Sequence, residues 1–180
     1  MKSHFYTSIV VFLTLSLPTG CSLSHLLVGT VDPVDQKSQN IQAVALETLD
    51  PAWRRVDLVA GVPQNDAPDR AWQSVKTASV ISLNSACNGA TERELSDISN
   101  DLLTQWRDLE NITQKEITIS GLKALETTAE GFYFNRKRKF QTVVVKTPTC
   151  VYDLIFLSPT KTFLQDLAVF KSFRDKLNIK

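Results

Sequence analysis

The sequence predicts an α+β fold, an antiparallel β-sheet packed against two amphipathic helices. Three observations lead there. Between Lys115 and Ser158, four strand-like segments, "KEITIS", "GLKALETTAE", "FQTVVVKT" and "CVYDLIFLS", follow one another with short turns at Ser120-Gly121, Gly131 to Lys139 and Thr147-Pro148. Such close spacing joins antiparallel neighbours as a meander, because parallel crossovers need a dozen or more residues. Apolar residues recur at helical spacing once before these strands and once after them, and two such stripes must bury themselves on the sheet.

The elements follow in chain order. "AVALETLDPAWRRVDLV" opens the domain as two short apolar segments broken by Pro51, with Trp53 leading into Val56 and Leu58. "VPQNDAPD" is a loop by its Pro, Asn and Asp content. "AWQSVKTASVISLNSAC" alternates as one or two strands, with Ile81, Leu83 and Ser85 on one face and Val80, Ser82 and Asn84 on the other, up to a turn at Cys87-Asn88-Gly89. Thr91-Glu92-Arg93-Glu94 has capping-box spacing, and Leu95, Ile98, Leu102, Trp106 and Leu109 then repeat at three and four residues, so with Leu103 they predict one long helix. After the four strands, Ser158-Pro159 supplies an N-cap and a proline at the first helical position. The last helix carries Phe163, Leu167, Phe170, Phe173 or Arg174, and Leu177 on its apolar stripe.

Ahead of this domain lies an export signal. Lys2 is a short positive region, and Phe5 to Leu17, "FYTSIVVFLTLSL", is uncharged and apolar but too short to span a bilayer comfortably. It stops against Thr19 and Gly20, small residues placed directly before Cys21. This resembles the lipobox of bacterial lipoproteins, with Pro18 standing where that pattern usually has Leu. The resemblance implies that Cys21 is lipidated and becomes the mature N-terminus. Three acyl chains would hold the protein on the membrane, since two lipid signals already anchor stably. Ser22 implies the outer membrane facing the periplasm, retention at the inner membrane being typically signalled by Asp. Ordinary signal cleavage and an uncleaved anchor are the other readings. The expected organisation is a signal peptide over residues 1–20, a lipidated N-terminus and flexible tether over 21–42, and a single globular domain over 43–180.

Without the signal the chain carries 19 basic and 19 acidic side chains, which gives no overall field for nucleic acid. Lipidation of Cys21 would leave Cys87 and Cys150, an even pair in an exported protein, as an expected disulfide; two separate buried thiols are the alternative. Both histidines, His4 and His25, lie outside the expected domain, so it can build neither a Ser-His nor a Cys-His pair, nor a metal site containing His. No nucleophile-elbow, P-loop or dinucleotide motif is present. No catalytic residue, metal or cofactor is expected. The carboxylates Glu92, Glu94, Asp97 and Asp101 fall on polar helix positions, where a solvated face explains them.

One polar feature stands out. Arg136, Lys137, Arg138 and Lys139 form an unbroken basic run between Phe134 and Phe140. On a hairpin turn they would project together toward lipid phosphates or an acidic partner, or else form a solvated turn that discourages edge pairing. Tyr133, Phe134 and Phe140 beside the run pack into the core or form an exposed aromatic patch.

The order of elements, the early "LDPAWRRV" and the helix after the final strand resemble the PsbP-like fold, also found in DcrB-type bacterial lipoproteins. That group shares no catalytic site, so the resemblance implies a non-enzymatic accessory or structural protein and transfers no functional residue. The expected function is a membrane-anchored envelope lipoprotein with an accessory or protein-interaction role, its partners the lipid bilayer and another envelope protein. A periplasmic carrier of a small molecule or lipid, with a pocket between sheet and helices, is the alternative, and a carboxylate-based hydrolase the third reading.

Overall fold

The computed structural model describes residues 41–42, 46–56, 68–87 and 90–179. Seven strands form one antiparallel sheet in the order β2-β3-β4-β8-β7-β6-β5. These are β2 (Trp53–Arg55), β3 (Arg70–Ser74), β4 (Val80–Cys87), β5 (Arg107–Ile119), β6 (Leu122–Tyr133), β7 (Arg136–Lys146) and β8 (Cys150–Pro159). β5 to β8 are the expected meander, and β8 then pairs with β4 along its whole length, from Val80↔Leu157 to Cys87↔Cys150. A separate two-residue pair joins β1 (Ile41–Gln42) to β9 (Asn178–Ile179). It draws the last two residues of the expected tether into the folded body.

The α+β expectation holds: helices lie on both faces of the sheet. α3 (Phe163–Asp175) covers one face, where Phe163, Phe170 and Phe173 meet Trp72, Ile81, Leu83, Val143, Leu154 and Phe156 in the main core. The Trp72 ring meets Phe173 edge-on with centroids 5.0 Å apart, and Phe156 stacks on Phe170 at 5.1 Å, both within the range that adds to simple burial. On the other face, α2 (Leu95–Asp101) sets Ile98 against Val144, Val151 and Ile155. Ahead of β2, α1 (Leu46–Leu49) is a single turn.

Two element boundaries differ from the expectation. The helix predicted to run to Leu109 ends at Asp101, and Arg107 to Ile119 is strand β5. Trp106 and Leu109 therefore pack from the loop and the strand, joining Leu103 against Phe140, Ala129 and Leu157. Extended pairing with β6 overrides the local helical period here. Asp108 and Asn111 at positive φ let β5 shift register twice along the way, residue types that tolerate this conformation better than most. The capping box does not form either: Glu94 is itself the N-cap and makes no side-chain cap bond. The second difference is at the last helix. Ser158 and Pro159 end strand β8, with Pro159 opposite Arg138, and the helix starts at Phe163 with Thr162 as N-cap. A proline is tolerated at a strand end, where its missing N–H breaks no ladder.

Two tight turns frame the meander. Ser120 and Gly121 both have positive φ and close β5–β6 between Ile119 and Leu122. Phe134 and Asn135 do the same for β6–β7 between Tyr133 and Arg136. Paired positive φ values are the type I′ pattern, whose twist matches that of the strands.

Candidate functional site

The basic run is not on the turn. The turn is only Phe134–Asn135, and Arg136, Lys137, Arg138 and Lys139 are the first four residues of β7. Alternation along a strand then sends them to opposite faces in pairs, so the four charges do not project together as the sequence suggested.

Lys137 and Lys139 point to the α3 face, and both are engaged. Lys137 Nζ lies 3.0 Å from Glu110 and 3.3 Å from Glu130, which raises its pKa through hydrogen bonds to Glu110 first and then Glu130; Glu110 is lowered chiefly by the hydrogen bond from Lys137. Lys139 Nζ sits 5.0 Å from the centre of the Phe163 ring, a cation–π distance.

Arg136 and Arg138 point to the opposite face, where Arg136 faces Tyr133 and Arg138 faces Gly131. Among the described residues neither makes an ion pair. Partial burial, followed by the nearby Arg136 charge, lowers the pKa of Arg138. Gly131 is required at its position, because a Cβ there would come within 2.9 Å of the Arg107 carbonyl oxygen in β5. The start of β5 can therefore pass close to the Gly131 backbone.

At the tip Phe134 sits edge-on against Tyr133, their ring centroids 4.5 Å apart. Phe140 and Tyr133 are buried, with Trp106 packed 4.2 Å and 5.2 Å from their rings. Phe134 is 51% exposed. Arg107 hydrogen-bonds the Asn135 side chain and fixes the turn. Pro159, opposite Arg138, brings the β8–α3 connection to the same end of the sheet, with Lys161 exposed and Leu164 78% exposed.

Of the other predicted positions, Cys87 and Cys150 are joined by a disulfide between β4 and β8. Cys21, His4, His25 and nearly all of the expected tether lie outside the described residues. The carboxylates of the α2 region are solvated or paired, with Asp101 bridging to Arg93 at 2.7 Å. Among the described residues no group of three or more His, Cys, Asp or Glu is arranged to hold a metal ion.

Two buried polar features escaped the sequence reading. Thr77 donates its hydroxyl proton to Asp166 on α3 and lies 3.1 Å from the Ser79 hydroxyl, which donates to Ser158, so a cluster of hydroxyls ties the β3–β4 turn to the helix. Asp153 stands in the middle of β8 between Asn84 and Val144, 9% exposed, with Oδ1 lacking a hydrogen-bond partner. Burial raises its pKa to about 7. A lone Asp within "CVYDLIFLS" was the available signal.

No model of a known protein family matches the chain, and no curated protein does. Solved structures do. LpqN of Mycobacterium tuberculosis, described as involved in cell envelope biogenesis, superposes with a TM-score of 0.56 over 81% of this chain and 86% of its own, at 12% identity. Cyanobacterial PsbP from Synechocystis sp. PCC 6803 superposes with a TM-score of 0.53 over 85% of this chain and 99% of its own, also at 12% identity. The domain is thus an α+β sandwich of PsbP-like fold. At this identity the likeness is one of fold.

Proposed function

We propose that this chain is a membrane-anchored bacterial envelope lipoprotein with a non-enzymatic accessory or protein-binding role, held on the periplasmic side of the outer membrane by Cys21. The observation that carries this reading is a disulfide between two sheet strands in a chain whose N-terminal segment ends in a lipobox-like cysteine. Such bonds persist in oxidising compartments beyond the cytoplasm. A fold in common with LpqN, a protein involved in cell envelope biogenesis, supports the same compartment. Two polar clusters of the folded body serve structure: the hydroxyl cluster locks a turn to α3, and Arg174 pairs with Glu126 across α3 and β6. Replacing Cys21 by Ser tests the anchor. The variant should lose fatty-acid labelling and leave the membrane fraction, and density-gradient separation should find the native chain with the outer membrane. A Cys21→Ser chain still held in the membrane by an uncleaved N-terminus removes the lipoprotein reading.

A further inference from the structure

The end of the sheet that carries the Phe134–Asn135 turn combines three properties. It has cationic side chains without acidic partners, Arg136 and Arg138, set two residues apart on one face of β7. It has exposed apolar side chains, Phe134 at the tip and Leu164 beyond the β8 end, with Lys161 between β8 and α3. And its acidic groups Glu110 and Glu130 are occupied by Lys137, leaving Asp108 beside Arg107. Anionic bilayers recognise this combination, since basic residues gain from headgroup phosphates while apolar side chains enter the boundary layer.

We propose that this end of the domain docks on an anionic lipid surface, Arg136 and Arg138 meeting headgroup phosphates while Phe134 enters the interfacial layer. It rests on the envelope reading only in placing a membrane within reach. Lys137 and Lys139, although part of the same run, take no part, because they lie on the other face of β7, where Lys137 is neutralised by Glu110 and Glu130 and Lys139 is held over the Phe163 ring.

The split between the two pairs is the test. The mature-length chain, residues 22–180, which holds every described strand and helix, is mixed with vesicles of phosphatidylcholine containing about one third phosphatidylglycerol, and binding is read by co-sedimentation. The chain should bind at low salt, bind far less to pure phosphatidylcholine, and release as salt rises. Arg136→Ser with Arg138→Ser should weaken binding roughly thirtyfold, given about 1 kcal/mol for each basic residue at an anionic surface. Phe134→Ser should weaken it as well. Lys137→Ser with Lys139→Ser should leave it within about threefold, with circular dichroism checking that this variant is folded. Equal loss in the Arg and Lys variants, binding indifferent to Phe134 or to lipid charge, or no binding by the native chain at low salt would overturn the proposal. Because none of these chains contains Cys21, the outcome is separate from that of the lipidation experiment.

Discussion

Cys87 and Cys150 lie directly across the β4–β8 ladder, their Cα atoms 4.0 Å apart and their sulfurs joined. The bond connects residues 63 apart in sequence at the point where the meander is zipped onto the β2–β4 half of the sheet.

Reduction should therefore cost much of the domain's stability. The chain-entropy relation gives about 4 kcal/mol for a loop of this length. Urea melts with and without reductant measure it directly. In the unfolded but unreduced protein neither thiol should react with an alkylating agent, and both should react once reduced; labelling before reduction would remove the bridge from the account.

Asp153 should make stability fall as pH rises through the mildly acidic range. Its folded pKa of about 7 stands above the ordinary carboxylate value, so the folded state holds the proton more tightly. Stability from this group is complete below about pH 4 and is lost progressively up to about pH 7. At about 1.4 kcal/mol for each pH unit of that interval, the total is on the order of 4 kcal/mol. Asp153→Asn should raise the thermal midpoint at pH 8 and match the native protein near pH 4. A variant whose midpoint stays parallel to the native one across this range contradicts the assignment.

Gly131→Ala should destabilise the β5–β6 hairpin, since the added methyl meets a backbone oxygen that cannot rotate away. Overpacking of this kind typically costs about 1 to 3 kcal/mol. Hydrogen exchange should show the loss concentrated at the start of β5, around Arg107 to Leu109, and an unchanged denaturation midpoint would mean that β5 relaxes without cost.

Thr77→Val should cost about 1.5 to 3 kcal/mol, the range for a hydrogen bond to a charged group, because it leaves the buried Asp166 carboxylate without its donor. Combining it with Asp166→Ala should recover part of the loss, and strictly additive costs would show that the two groups are not coupled.

The parts of this fold legible in the sequence were those where a chemical constraint is local. Ser120-Gly121 announces a turn because glycine accepts positive φ at no cost, and the residues of β6 to β8 alternate or run apolar as buried strands must. The stripe from Leu95 to Leu109 misled because Leu102, Trp106 and Leu109 satisfy a helical period, while β5, an edge strand exposed along most of its length, shows almost no alternation. Its identity comes from pairing with β6, which no short window contains. The basic run was seen but misplaced: Phe134 is an unusual residue for a type I′ turn, so the chain reversal was spread over Gly131 to Lys139. Compressing it to two residues turned one cluster into two pairs with different surroundings. The half-exposed Phe134 packed edge-on against Tyr133 and the raised pKa of Asp153 followed only from knowing which face each strand presents.

The β1–β9 pair lies beside Ser120, whose hydroxyl donates to the Leu177 carbonyl and accepts from the Ile179 amide. Ser120 and Phe134 sit at opposite ends of β6, whose 12 residues span roughly 40 Å. The β1–β9 pair and the exposed Phe134 ring therefore mark opposite poles of the domain, so the chain enters the folded body at the end remote from that ring.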